Sequence, residues 1–216
     1  MEMTALLDLM GRYADGKVTL KWRYPPGAPE CVHIYPAQRA GDRFLIARDK
    51  HMRVDLKDAQ TGWSFDYNVA GGGVKARLFC VYLAAKNEIP PDDQLLVSRE
   101  ADFVVTVSIG RAHILYSLSE KQLPDGLSAH FLRLQTSAEI EFGVLGYAWD
   151  FNGLRMAAPL PGSIHPGKHM YPAFYLPTGL YPAVELVGGA NSDVTIAEGK
   201  VSFGLFSKIK LSKKKN

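Results

Sequence analysis

Residues 18–24 read VTLKWRY, and the choice between helix and strand for most of the chain turns on them. Val18, Leu20 and Trp22 alternate with Thr19, Lys21 and Arg23, a period of two that gives a strand one apolar and one wet face. A helix would scatter the same residues around its circumference. PPGAPE then stops the run with turn residues. CVHIY, DRFLIA, HMRVDL, WSFDYNV and VKARLFCVYLAA follow before residue 86, with Gly71-Gly72-Gly73 predicted to join the last two as a hairpin. Beyond them ADFVVTVSIG, RAHILYSLS and HFLRLQTSAEIE resume the alternation. VLGYAWDF and LRMAAPL flank Asn152-Gly153, a pair favoured in two-residue type I′ turns, and VTIAEGKVSFGLF reads as a further hairpin. Helical character is confined to residues 3–10 and 119–123, each one or two turns long.

The fold class is therefore all-β. At 216 residues the chain suits two domains of about 100 residues each. Its 47% hydrophobic content is enough for folded cores rather than a disordered chain. NEIPPDDQLL (87–96) combines prolines, acids and a loss of periodicity, so the boundary is placed at 87–97. The expected organisation is two tandem β-sandwiches, residues 1–90 and 97–212, followed by a basic tail at 213–216. A fragment of residues 1–96 is expected to unfold cooperatively by itself.

VTLKWRYPPGAPECVHIY, with Trp22 inward on an early strand, a proline-glycine turn and then Val32 and Ile34 leading to Tyr35, resembles the B–C region of a fibronectin type III domain. VKARLFCVYLAAKNE looks like that family's strand F running into an exit at Ala85-Lys86-Asn87. The resemblance spans about residues 16–88 and implies an immunoglobulin-like sandwich of the kind that serves as spacer or protein-binding module. One departure stands out: the family's tyrosine near the start of strand F would fall at Ala76 or Leu78, so the hydroxyl tie of a tyrosine corner is missing. No family resemblance extends over residues 97–216.

The formal charge is +3, and Lys208, Lys210, Lys213, Lys214 and Lys215 contribute +5, which leaves −2 for the rest. A body of that sign disfavours nucleic acid as partner, and the lysine run reads as a solvated end. Glu2 and Asp8 break up the apolar N-terminal patch, so no signal peptide is expected. No run of apolar residues is long enough to span a bilayer. With two cysteines, the reading is a cytoplasmic protein with Cys31 and Cys80 as buried thiols on strands that face each other across the first sandwich.

Motifs for catalysis are missing. There is no GxSxG, phosphate loop or GxGxxG opening a helix, and the three glycines at 71–73 lack a strand-then-helix setting. His33, His51, His113, His130, His165 and His169 show no metal-binding spacing; His165 and His169 flank PGK, and two ligands are too few for structural zinc. Asp102, Glu139, Glu141, Asp150 and Glu185 are scattered. The expectation is no enzyme, no cofactor and no metal.

IHPGKHMYPAFYLPTGLYPAVEL (164–186) carries Pro172, Pro177 and Pro182 at five-residue intervals. Proline cannot donate to a central ladder, so this segment belongs at a sheet edge or rim. Its prolines also guard an edge against pairing with other chains. Tyr171, Tyr175 and Tyr181, with Trp149 before the Asn-Gly turn, are the candidate binding residues, because such rings give large contact area at low entropy cost. The function that follows is a non-catalytic protein-binding adaptor or assembly component, taking another protein or an extended peptide. A carbohydrate-binding module, its rings stacked on sugar faces, is the alternative; a phage or secretion-machine structural subunit is the second.

Overall fold

Strand β2 (Lys17–Arg23) buries Val18, Leu20 and Trp22, the last with 3% of its surface exposed. Thr19 turns outward to a Ser64 hydroxyl at 2.8 Å, and Lys17 and Arg23 turn outward to Asp66 and Asp8. Removing a ring as buried as Trp22 costs about 3–5 kcal/mol. The chain is seen here as a computed structural model that describes residues 5–28, 30–41, 43–55, 61–67, 72–84, 94–96 and 103–203. The Ala85-Lys86-Asn87 exit, most of the 87–97 boundary and the lysine tail lie outside the described residues.

Apart from one 3-10 turn at Arg48–Lys50, every regular element described is a strand. Residues 7–10, expected to be helical, belong to β1 (Leu7–Ala14), which pairs with β2 through an Asp15-Gly16 turn in which both residues have positive φ. A helix of one or two turns does not recover its nucleation cost, whereas the hairpin supplies a partner for the backbone at once. Residues 119–122 likewise end a strand rather than form a helix.

The first sandwich sets β17 (Ala190–Asn191), β1, β2 and β6 (Gly62–Asp66), in that order, against a second sheet. That sheet runs β8 (Gln94–Leu96), β4 (Arg43–Ile46), β3 (Cys31–Ala40), β7 (Val74–Ala84) and β9 (Val104–Gly110), with β5 (Met52–Asp55) also on β3. Strands β1, β2 and β6 thus face β3, β7 and β9, the arrangement of an immunoglobulin-like sandwich. Val18, Leu20 and Trp22 meet Val32, Ile34, Phe79 and Val81 in its core. The back of β3 and β7 is buried as well, under Tyr35, Phe44, Cys80, Tyr82 and Phe103, which is why β7 reads as an almost unbroken apolar run. Cys31 and Cys80 are buried thiols outside any disulfide, on adjacent strands of one sheet rather than across the sandwich. Cys31 lies opposite Ala84 and Cys80 opposite Tyr35, four residues or about 13 Å out of register, too far for a disulfide.

Two sequence expectations about connections are corrected. Gly72 and Gly73 lead from β6 to β7, but β6 pairs with β2 while β7 pairs with β3 and β9, so the link crosses between sheets instead of closing a hairpin. Alternation is the same in either case, and only the core on which each strand packs separates them. β9, read as the opening strand of the second half, is hydrogen-bonded to β7 from Val74↔Gly110 to Cys80↔Val104 and places Val105, Val107 and Ile109 in the first core.

The second sandwich has a sheet ordered β14 (Gly167–Met170), β11 (Leu127–Thr136), β10 (Ala112–Gln122) and β18 (Val194–Glu198), with β15 (Phe174–Pro177) also on β11. Facing it are β13 (Leu154–Pro159), β12 (Leu145–Phe151) and β16 (Ala183–Leu186). Ile114, Leu132, Leu134, Tyr147, Leu160 and Val184 fill the space between. Asn152 and Gly153 both have positive φ between β12 and β13, as a type I′ turn requires. β18, expected in a hairpin with the residues after it, runs parallel to β10.

The halves meet closely. Val74 at the start of β7 belongs to the second core and exchanges backbone hydrogen bonds with Glu139 and Glu141 at 2.7 and 2.9 Å. Gly110 has φ +124°, and a Cβ there would stand 1.9 Å from the Gly73 carbonyl oxygen, so no larger residue fits. Asn191 donates from Nδ2 to the Gly110 carbonyl and accepts from the Asp193 N–H, while the Asp193 carboxylate accepts from the Asp15 N–H at the tip of the β1–β2 hairpin.

Candidate functional site

The proline-spaced stretch is edge throughout. β14 and β15 lie end to end on β11, pairing at Arg133–Thr136 and at Leu127–His130, and the gap between them contains Pro172. After Pro177 the chain turns and crosses to the other sheet, where β16 pairs with β12. Its three tyrosines end in different places. Tyr171 is half-buried against the second core, and burial raises its hydroxyl pKa. Tyr175 (56% exposed) projects from the outer face of β15, and Tyr181 (69%) from the loop before β16. Trp149 packs inward on Phe174, ring centres 5.3 Å apart, beside a stacked Tyr147–Phe174 pair at 4.5 Å. Burial pushes the Tyr147 hydroxyl up to about 12.

Tyr175 has neighbours the sequence reading did not select. On β11, Leu132 and Leu134 face the core, so Ala129, Phe131 and Arg133 face out. Tyr175 lies opposite Ala129 and Met170 opposite Arg133, which leaves Phe131 diagonal to both and within side-chain reach. Phe131 is 39% exposed and Met170 64%. Around these three stand Arg133 itself, Lys121 opposite Ala129, Lys168 opposite Gln135, and Lys200. Among the described residues, no Asp or Glu occupies an outward position of β10, β11, β14, β15 or β18. Past β18 the chain crosses this face. Gly199 donates to the Tyr116 carbonyl and Lys168 Nζ donates to the Ser202 carbonyl, so Lys200–Phe203 form one wall of an open groove of about 360 Å³. Arg133, Met170 and Ser117 form the rest of it.

A second polar cluster lies on the back of the first sandwich, with His33, Tyr35 and Tyr82 buried and His51 at the surface. His33, His51, Tyr35 and Tyr82 lie with their rings within 9° of parallel, the closest pair being Tyr35 and His51 at 4.4 Å. His33 Nδ1 and His51 Nε2 are 3.0 Å apart, one donating to the other, and burial with Arg53 nearby lowers the His51 pKa. Cys31 Sγ is 3.3 Å from an Asp55 carboxylate oxygen. No group of three or more potential metal ligands converges among the described residues; His169 Nε2 donates to its own loop at the His165 carbonyl.

Phe131 was missed because HFLRLQT alternates perfectly well with Phe131 as a surface residue, and a single exposed phenylalanine is unremarkable in sequence. The signal lay in its phase: Leu132 and Leu134 claim the core face, which sends Phe131 outward.

No protein-family model matches the chain, and no curated protein matches it. Among solved structures it is similar to the FN1–FN3 domains of chicken CNTN1, with 11% identity and a TM-score of 0.30, over 85% of this chain and 65% of that one. It is also similar to CBD12 from CALX1.2, with 10% identity and a TM-score of 0.26, over 82% of this chain and 78% of that one. At such scores the likeness adds nothing to strand order. By strand order the chain is an all-β protein of two tandem sandwiches, the first of fibronectin type III/immunoglobulin-like type. No helix among the described residues is long and apolar enough to cross a membrane.

Proposed function

We propose that the protein is a non-catalytic binding module, an adaptor or assembly component, whose contact surface is the outer face of β11, β14 and β15. The observation that supports this reading is the grouping of Phe131, Met170 and Tyr175 on one sheet face, beside an edge interrupted at Pro172. Large apolar side chains gathered on a surface cost solubility, and a partner that covers them recovers the burial energy. We place the division between the two sandwiches after Gly110, where β9 leaves the first core.

The test is Phe131→Ser, Met170→Ser and Tyr175→Ser made together, with Tyr171 untouched because it supports the second core. The triple variant should keep the wild-type unfolding midpoint to within a few degrees, since exposed positions contribute little to stability. It should lose the protein cross-linked to the wild type and identified by mass spectrometry. Unchanged cross-linking would remove the reading, and saturable hits on a glycan array would move it to the carbohydrate-binding alternative.

A further inference from the structure

The body of the chain without its five terminal lysines is net negative, yet the outer face of the β11 sheet presents Lys121, Arg133, Lys168 and Lys200 with no carboxylate among its described outward positions. Charge has been segregated, and none of the four is in an ion pair among the described residues. Within this ring lie Phe131, Met170 and Tyr175 beside Ser117 and Ser119, and the groove along it pairs Arg133 and Lys200 with Met170 and Phe203. A cationic rim around apolar floor complements a ligand that carries carboxylates next to apolar side chains. Lys168 is held by the Ser202 carbonyl, which keeps the groove wall in place without neutralising its charge.

We infer that this face takes an extended acidic segment of a partner protein, one in which Glu or Asp residues and aliphatic residues share one side of the strand. The inference rests on the binding-module reading above and names the chemistry of its partner. The carboxylates face Arg133 and Lys200, and Arg133 offers the planar fork that binds a carboxylate through two parallel hydrogen bonds. The aliphatic residues cover Phe131, Met170 and Tyr175.

The experiment uses the full chain and fluorescence anisotropy of a labelled Glu-Val peptide of about ten residues in which serines separate the Glu and Val positions, so that both fall on one side of the extended chain, long enough to cross the sheet. A Lys-Val peptide and an oligothymidylate of similar length are the competing probes. The Glu-Val peptide should bind saturably, the Lys-Val peptide should not, and binding should weaken as salt rises from about 0.05 to 0.2 M because the charges are exposed. Arg133→Glu with Lys200→Glu should weaken it by about tenfold or more at an unchanged melting temperature, and Arg133→Gln with Lys200→Gln by less. Equal binding of the lysine peptide, or none of the Glu-Val peptide, overturns the inference. If only the oligothymidylate binds, the face is a stacking platform for single strands and the inference is equally overturned. If the charge reversals spare capture of the cellular partner while Phe131→Ser and Tyr175→Ser abolish it, the acidic partner is wrong and the binding module stands. If neither set alters capture, both are wrong.

Discussion

His130 is 2% exposed, on the inward side of β11, with Phe174 opposite on β15 and Glu120 opposite on β10. Burial lowers its pKa below the usual 6.5, against the smaller opposing pull of Glu120 and the Leu180 carbonyl. His51 shifts the same way from the same leading cause. The unfolded chain therefore binds protons that the folded one declines. Stability from these residues is complete above pH 6.5 and is lost as pH falls below that value toward the lower folded pKa. The melting temperature should drop on going from about pH 7.5 to 5.5, and replacing both histidines by glutamine should flatten that drop. A melting temperature level across the range in the wild type would show that neither imidazole resists protonation.

Among the elements, the edge formed by β14 and β15 is open to unwanted pairing. Both lie on β11, with one backbone edge turned away from it, and the interruption at Tyr171-Pro172-Ala173 keeps them short. Pro172 supplies no N–H, and its fixed φ bends the chain out of the ladder. Replacing it with threonine should let the two strands merge into one longer flat edge, which light scattering should register as faster aggregation on mild heating. No change would mean that Met170 and Tyr175, not backbone continuity, govern association.

For the molecule as a whole, β7 passes from one core to the next, with Val74 in the second and Phe79, Val81 and Leu83 in the first, where β9 packs beside it through Val105, Val107 and Ile109. The Asn191 and Asp193 hydrogen bonds tie the β1–β2 hairpin to the strand leading into β18. Calorimetry should accordingly show one unfolding transition instead of two. A fragment of residues 1–96, which by sequence looks self-sufficient, lacks β9 and β17 and should remain unfolded. Two resolved transitions, or a folded fragment, would show that β7 closes the first core without β9.

The sequence by itself determined the strand content, the inward face of β2, the Asn152-Gly153 turn and the edge status of residues 164–186, because each rests on a local rule: period two, positive φ, or a missing N–H. The β1–β2 hairpin has a local sign in Asp15-Gly16, but residues 3–10 also suit a helix, so only the pairing of β1 with β2 settles it. Tertiary structure alone decided the rest. Whether Gly72-Gly73 closes a hairpin or crosses between sheets, whether β9 joins the first half or the second, and whether β18 pairs with its neighbour or with β10 all depend on which distant backbone offers a partner, and alternation is blind to that choice. The candidate surface divided the same way. Tyr175 could be chosen for its edge, but its grouping with Phe131, 44 residues earlier, and with the four cations exists only because β11, β14 and β15 share one register.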